Sequence, residues 1–475
     1  MGHVPFIARC AMRARRIGVL LVAGVLAAPS AYALDLVEAW RAAQEHDLEY
    51  SAARAAHEAG EARRVQGSAL WRPSVSLTGT AGRMSSNTET TGAQFSAPGL
   101  GQSNGVAFNT SVNDGTSGSW AVSARQPLFS GERLAQSRQL ALAADLADLQ
   151  WAAARQALMM RTVERYFDVV LAEDSLRVLR EQQGAVDRAL EEAQERYRVG
   201  DSPITDTHEA TARSQAIKAQ VLAAETDLEL KQVALADMTG LPPQSLHPKI
   251  PSEEAAVTQV AALDRWLDDA ASGNPTLRMQ AASVEVARQE AAKYRAISSP
   301  SLDLVAKAGR DRLSGSGDFG SASSTSSSGM IGVQLTVPVF TGGYRSAQHE
   351  EALGLAEKAR AEEARSRQQI ALQTRAAWLG LTVGASRVAA LSAALESSRA
   401  RLDATRLGHQ VGDRTTLDLL NAQSDASSAE LNLLQARMAL LTERLRLAAL
   451  AGVLDEPELQ AVNARLQARN DRTNP

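Results

Sequence analysis

"YRVGDSPITDTHEAT" fills residues 197–211 and "HQVGDRTTLDLLNAQ" fills residues 409–423. Each places Val-Gly-Asp between two long runs rich in Ala, Leu, Arg, Glu and Gln. Glycine accepts positive φ at no steric cost, so Gly200 and Gly412 suit chain reversals between helices. The same turn made once in each half of a chain points to an internal duplication, which is sought before local structure.

The rest of the sequence carries that duplication. "SARQPLFSGERLAQSRQLAL" (123–142) is answered by "QLTVPVFTGGYRSAQHEEAL" (334–353), with Pro127, Phe129 and Gly131 matching Pro338, Phe340 and Gly342. Upstream, "ALWRPSVSLTGTAG" (69–82) is answered by "AISSPSLDLVAKAG" (296–309). Each half reads helix, strand, loop, strand, long helix, turn, helix. The repeats are expected over 34–240 and 263–456. Between them lies a linker at 241–262, entered through the Pro-rich "GLPPQSLHPKIP" (240–251), and a tail follows over 457–475.

Proline placement sets the helix lengths. None lies between Pro127 and Pro203 or between Pro338 and Pro457. A continuous helix from 132 to 199 would extend about 100 Å at 1.5 Å per residue. Leu134, Leu140, Leu142, Leu146 and Leu149 recur at spacings that suit coiled-coil packing. The alternating stretches 74–83, 118–129, 301–310 and 330–340 are each about the ten residues of a tilted membrane strand. Ser/Gly/Asn/Thr-rich segments at 85–117 and 311–329 read as loops facing water. Four strands cannot close a barrel, whose minimum is about eight. An open edge in lipid would leave backbone groups unpaired at several kcal/mol each. The barrel must be shared between chains.

Composition agrees. The 475 residues carry 50 basic and 54 acidic side chains, a formal charge of −4 that argues against a nucleic-acid partner. Aromatic residues make up 4%, too few for several compact cores. Residues 1–33 read as a secretory leader: Arg9, Arg13, Arg15 and Arg16, then a short apolar run, then Ala31-Tyr32-Ala33. Cleavage there would remove Cys10, the single cysteine, leaving no disulfide, no thiolate chemistry and no lipid-anchor cysteine.

These residues carry a family resemblance. The strand ends Pro127-Leu128-Phe129 and Pro338-Val339-Phe340, the Ile204-Thr205-Asp206 triplet and "VGDRTTLDLLNAQ" together resemble the TolC-type outer-membrane channels, over essentially the whole sequence after the leader. The resemblance implies an α+β membrane protein. Three chains would contribute four strands each to a twelve-stranded outer-membrane barrel, standing on a long α-helical periplasmic tunnel. An equatorial region would be built from the inter-repeat linker and the tail. The implied function is export of protein, or of small molecules, as a homotrimer in outer-membrane lipid. The implied partners are a periplasmic membrane-fusion adaptor and an inner-membrane ABC or proton-driven transporter. The missing lipid-anchor cysteine favours the type I secretion branch over the lipoprotein branch of multidrug pumps. A reading from a different class, a periplasmic coiled-coil adaptor, shares the helical hairpins but has no need of two pairs of amphipathic strands.

The resemblance also assigns residues. Arg414 after the second turn would tie that hairpin to Asp206 after the first. His409 stands where a tyrosine is expected, and a histidine there would make closure sensitive to pH in the range of about 6–7. Asp418, four residues past Arg414 on one helix face, would form a ring of three carboxylates that favours cations. Asn421 stands where another aspartate is common. Asp425 either supplies a second ring or is a solvated aspartate. No cofactor or metal is expected. "GSGDFG" (315–320) leads into "SASSTSSSG" rather than a phosphate-binding helix, and His208-Glu209 and His349-Glu350 lack a second histidine at zincin spacing. No nucleophile has a plausible base, so an enzyme is not expected.

Overall fold

The computed structural model describes residues 34–467 apart from 100, 202, 244–247, 252–260, 297–299, 319 and 341. The expected leader at 1–33 and the tail beyond 467 lie outside the described residues, as does part of the linker. In the first half come α1 (Leu36–His46), α2 (Leu48–Ala69), β1 (Ser74–Ala97), β2 (Gly101–Ser130), α3 (Gly131–Arg198) and α4 (Ile204–Thr239), followed by β3 (Ile250–Pro251). In the second come α5 (Leu263–Gly273), α6 (Pro275–Ala296), β4 (Ser301–Gly317), β5 (Gly320–Thr336), α7 (Tyr344–Gln410) and α8 (Thr416–Leu450), followed by α9 (Glu456–Asn463) and β6 (Leu466–Gln467).

Both halves follow one plan. The long helices run 68 and 67 residues, and the returning helices 36 and 35. Ser130 starts α3 by accepting the Arg133 backbone N–H at 3.2 Å, and no proline interrupts the helix down to Arg198. Where one helix was expected ahead of each first strand, there are two. Asp47 ends α1 and caps α2 by accepting the Tyr50 N–H at 2.6 Å. Asn274 does the same between α5 and α6, accepting the Leu277 N–H at 3.1 Å. In both repeats a short acceptor side chain competes for the backbone and breaks the helix at the corresponding place.

The four long strands form one antiparallel sheet in the order β1-β2-β4-β5. They are 24, 30, 17 and 17 residues long rather than ten. The stretches expected as loops continue the ladder, pairing Thr88 with Thr110 and Arg312 with Thr325. Small polar side chains on both faces need no core, and the antiparallel ladder within each hairpin pairs the facing backbone groups, so the strands continue through these stretches. What is about ten residues tall is the apolar band. Val75, Leu77, Trp120, Val122, Leu304, Ile331, Val333 and Leu335 are all exposed, and the register stacks Leu77 on Val122 and Leu304 on Val333. On the other face Ser76 and Ser123 share a hydrogen bond of 2.7 Å, and Arg125 pairs with buried Asp303 at 2.8 Å. One face therefore suits lipid and the other a wet lumen. β5 ends at Thr336, short of the expected 340, because Pro338 has no N–H to donate. β1 and β5 are left as open edges.

Beyond the sheet the long helices pack side by side as a wall. α3 packs against α2 and α6 near the strands and against α4 and α8 farther down, while α7 packs against α6 and α8. Midway, the principal core gathers Trp40, Leu158, Tyr166, Leu235, Leu441, Leu445 and Leu459. The Tyr166 hydroxyl donates to the Leu34 carbonyl at 2.8 Å and accepts the Lys249 N–H at 2.6 Å. β3 pairs with β6, and Asn463 binds Asp35 at 2.8 Å. Leu34 and Asp35, the linker and the tail thus meet on one face of α3.

Candidate functional site

The wall ends in two hairpin tips built alike. Gly200 has φ +83° and Gly412 has φ +80°. The Asp201 N–H reaches back to the Arg196 carbonyl at 2.8 Å, and the Asp413 N–H to the Gly408 carbonyl at 2.9 Å. This is the bond that a left-handed glycine permits at a helix C-terminus. Val199 and Val411 lie beside the turns and are exposed.

Between the tips lies a cavity of about 470 Å³, lined by Asp206, His409 and Arg414 among others. The structure brings these three together around one space without joining them. No ion pair links Asp206 to Arg414 among the described residues, and the His409 ring bonds the Thr416 hydroxyl of its own hairpin at 3.2 Å. Arg414 also does not share a helix face with Asp418, as its spacing suggested. The helix begins at Thr416 with Thr415 as its cap, so Arg414 sits outside it.

Asp418 closes a capping box. Its carboxylate accepts the Thr415 N–H at 3.1 Å and the Thr415 hydroxyl at 2.9 Å, while the Asp418 N–H returns to the Thr415 hydroxyl at 3.1 Å. The Thr415 N–H, then its hydroxyl, and more weakly Arg414 hold that carboxyl below the usual aspartate value. Asn421 accepts a hydrogen bond from Arg213 of α4 at 2.9 Å. Asp425 is ion-paired with Arg401 of α7, and both side chains are more than half exposed.

Two polar features escaped the sequence reading. Arg213 lies seven residues past Asp206, the heptad spacing that places both on one face of α4. Farther up, Glu430 of α8 is held by Arg177 of α3 at 2.7 Å and by Arg399 of α7 at 3.1 Å. Burial works to raise the Glu430 carboxyl, but the two guanidinium groups hold it below its ordinary value. Partners 253 residues apart offer no local signal. One grouping of potential metal ligands occurs among the described residues: His57, Glu61 and Asp148. The Arg64 guanidinium already bonds Glu61 at 2.6 Å and Asp148 at 2.8 Å, so a fixed cation neutralises those carboxylates.

Comparison with known proteins is consistent with this architecture. The family model "Outer membrane efflux protein" matches residues 40–241 and 266–453. The alkaline protease secretion protein AprF of Pseudomonas aeruginosa is 29% identical over 438 residues, covering 91% of this chain and 88% of that one. The proteases secretion protein PrtF of Dickeya chrysanthemi is 27% identical, covering 96% of each. Outer membrane protein TolC of Vibrio cholerae is 29% identical over 68% of this chain and 73% of its own. Among solved structures, the CmeC channel of Campylobacter jejuni superposes with a TM-score of 0.70 at 15% identity, covering 91% of this chain and 89% of that one. The chain belongs to the outer membrane efflux protein family, and it is a TolC-like channel of the outer membrane that reaches into the periplasm.

Proposed function

We propose that the protein exports protein cargo, of the secreted-protease kind, through a homotrimer coupled to a periplasmic membrane-fusion adaptor and an inner-membrane ABC transporter. The observation that carries this is the near full-length match to two protease secretion proteins, at 91% and 96% of this chain. The open edges support the homotrimer. β1 and β5 lack partners on opposite sides of the sheet. Below them, Leu222, Leu230 and Val233 on α4 and Leu372, Leu379 and Val383 on α7 are left exposed on helices at opposite sides of the wall. Such edges fit head to tail, and a closed rotation turns that contact into a ring.

In this reading Asp206, Arg414 and His409 form the periplasmic gate, and Asp418 lines the constriction. The hairpin tips of the repeats at 34–240 and 263–456 close the passage, with Asp206, His409 and Arg414 facing one cavity between them. Co-expression with an adaptor and an ABC transporter of a protease secretion system tests the cargo. Protease should appear in the medium only when this chain is present, and export of dye but not protease would overturn the assignment. Arg414→Ser and Asp206→Ala should each raise single-channel conductance, and the double variant should add little, because both charges act across the one cavity they line. Low conductance equal to wild type in both would place the lock elsewhere.

A further inference from the structure

The contact between Arg213 and Asn421 is half-made. The guanidinium Nη2 donates to the Asn421 carboxamide oxygen at 2.9 Å, while Nη1 is shut away from solvent with no hydrogen-bond partner. A guanidinium offers a rigid fork of donors that a carboxylate fills with two oxygens. A carboxamide has one accepting oxygen, and its NH₂ group can only donate. Asn421 therefore holds one prong of the fork and leaves the other empty.

The location gives this weakness a purpose. Two cavities, of about 470 and 250 Å³, lie along the seam between hairpin α3–α4 and hairpin α7–α8. Arg213 and Leu420 line both, so they form the partition between them. Space on either side leaves α4 and α8 free to separate once the partition gives way. Farther up, Glu430 ties α8 to α3 through a different arginine and with both carboxylate oxygens engaged.

We propose that the Arg213–Asn421 hydrogen bond is the intrachain latch that holds the second hairpin against the first, kept breakable by a carboxamide where a carboxylate would fill the fork. The latch deepens the gated-channel reading and rests on it. It also reassigns Asn421. An aspartate at 421 would be neutralised by Arg213 rather than add charge to the passage.

Single-channel recording in planar bilayers tests this with the full-length trimer. Arg213→Ala should raise occupancy of the higher-conductance state by about tenfold, the worth of a hydrogen bond to a charged group. Asn421→Asp should lower that occupancy, and Arg213→Ala/Asn421→Asp should behave as Arg213→Ala alone. Amide hydrogen exchange on the detergent-solubilised protein is a readout independent of conduction. Exchange across residues 409–421 should quicken in Arg213→Ala and slow in Asn421→Asp. Wild-type trimers that form no channels would sink the gated-channel reading, and the exchange data would still decide whether the hairpins are latched. If Asn421→Asp raises cation selectivity and leaves occupancy and exchange unchanged, Asn421 faces the lumen and the latch is refuted.

Discussion

The middle of the helical wall and its tip are made from the same helices but held by different physics. At the middle, Leu441 and Leu445 of α8 are fully buried against Leu158 and Tyr166 of α3 and Trp40 of α1. At the tip, the buried positions of α8 shrink to Ala422 and Ala426, and a polar contact, Arg213 to Asn421, joins the hairpins across the seam. Large apolar side chains make a junction whose separation exposes much surface to water, at roughly 25 cal/mol per Å². Alanine contributes little area, and exposed polar pairs exchange readily for water. A helix wall built this way stays assembled at its waist while its end can move.

The largest expected effect breaks the waist. Leu441→Ala deletes a side chain with no exposure to solvent, which costs about 2–5 kcal/mol where the surroundings cannot collapse. Ala426→Gly at the tip should cost about 1 kcal/mol through helix propensity. Thermal unfolding of the purified trimer, followed by circular dichroism, should show a drop several-fold larger for Leu441→Ala. Equal drops would mean that the tip contributes as much cohesion as the waist.

The second effect probes the boundary at Glu430. Its folded carboxyl lies below the ordinary value of 4.5, so its stabilising contribution is complete above that value and is lost as pH falls through the folded one. Glu430→Gln should therefore be less stable than wild type at pH 7, by about 1–2 kcal/mol for a half-buried pair. The gap should narrow as the solution is acidified below 4.5. A gap that does not depend on pH would assign the loss to packing rather than charge.

Much of this contrast was legible in the sequence, and the reason it was not all legible is physical. Periodicity and proline spacing located the long helices, because a helix ends where its hydrogen-bond ladder is cut. Alternation located the lipid-facing band at Val75, Leu77, Val333 and Leu335, since lipid demands apolar side chains on one face. It did not give strand length, because Ser, Thr and Gly stretches read as loop yet satisfy a ladder in water. Gly200 and Gly412 announced the turns. The pairs across the turns stayed hidden: Arg213 meets Asn421 and Arg177 meets Glu430 through tertiary packing that no local spacing encodes. Asp418 was misread in part because its spacing from Arg414 suggested a shared helix face, whereas Thr415 caps the helix between them.

The smallest effect concerns Asp418, whose carboxylate has two roles that one experiment can separate. It caps α8 through Thr415, and in the proposed constriction its charge favours cations. The Thr415 N–H and hydroxyl stabilise the ionised form, so the cation preference of wild-type channels should persist on acidification to below the ordinary aspartate value of 3.8. Thr415→Ala removes the hydroxyl and weakens the cap, so its folded carboxyl should titrate closer to 3.8 and cation preference should fade at higher pH than in wild type. Asp418→Asn keeps a side-chain acceptor for the turn and removes the charge, so it should abolish the preference at every pH. Reversal potentials across a salt gradient, measured from pH 7 down to about 3, read all three outcomes. If wild type and Thr415→Ala lose selectivity at the same pH, the cap does not control the ionisation that conduction senses. If Asp418→Asn keeps its cation preference, the carboxylate caps the helix and does nothing for the ions that pass it.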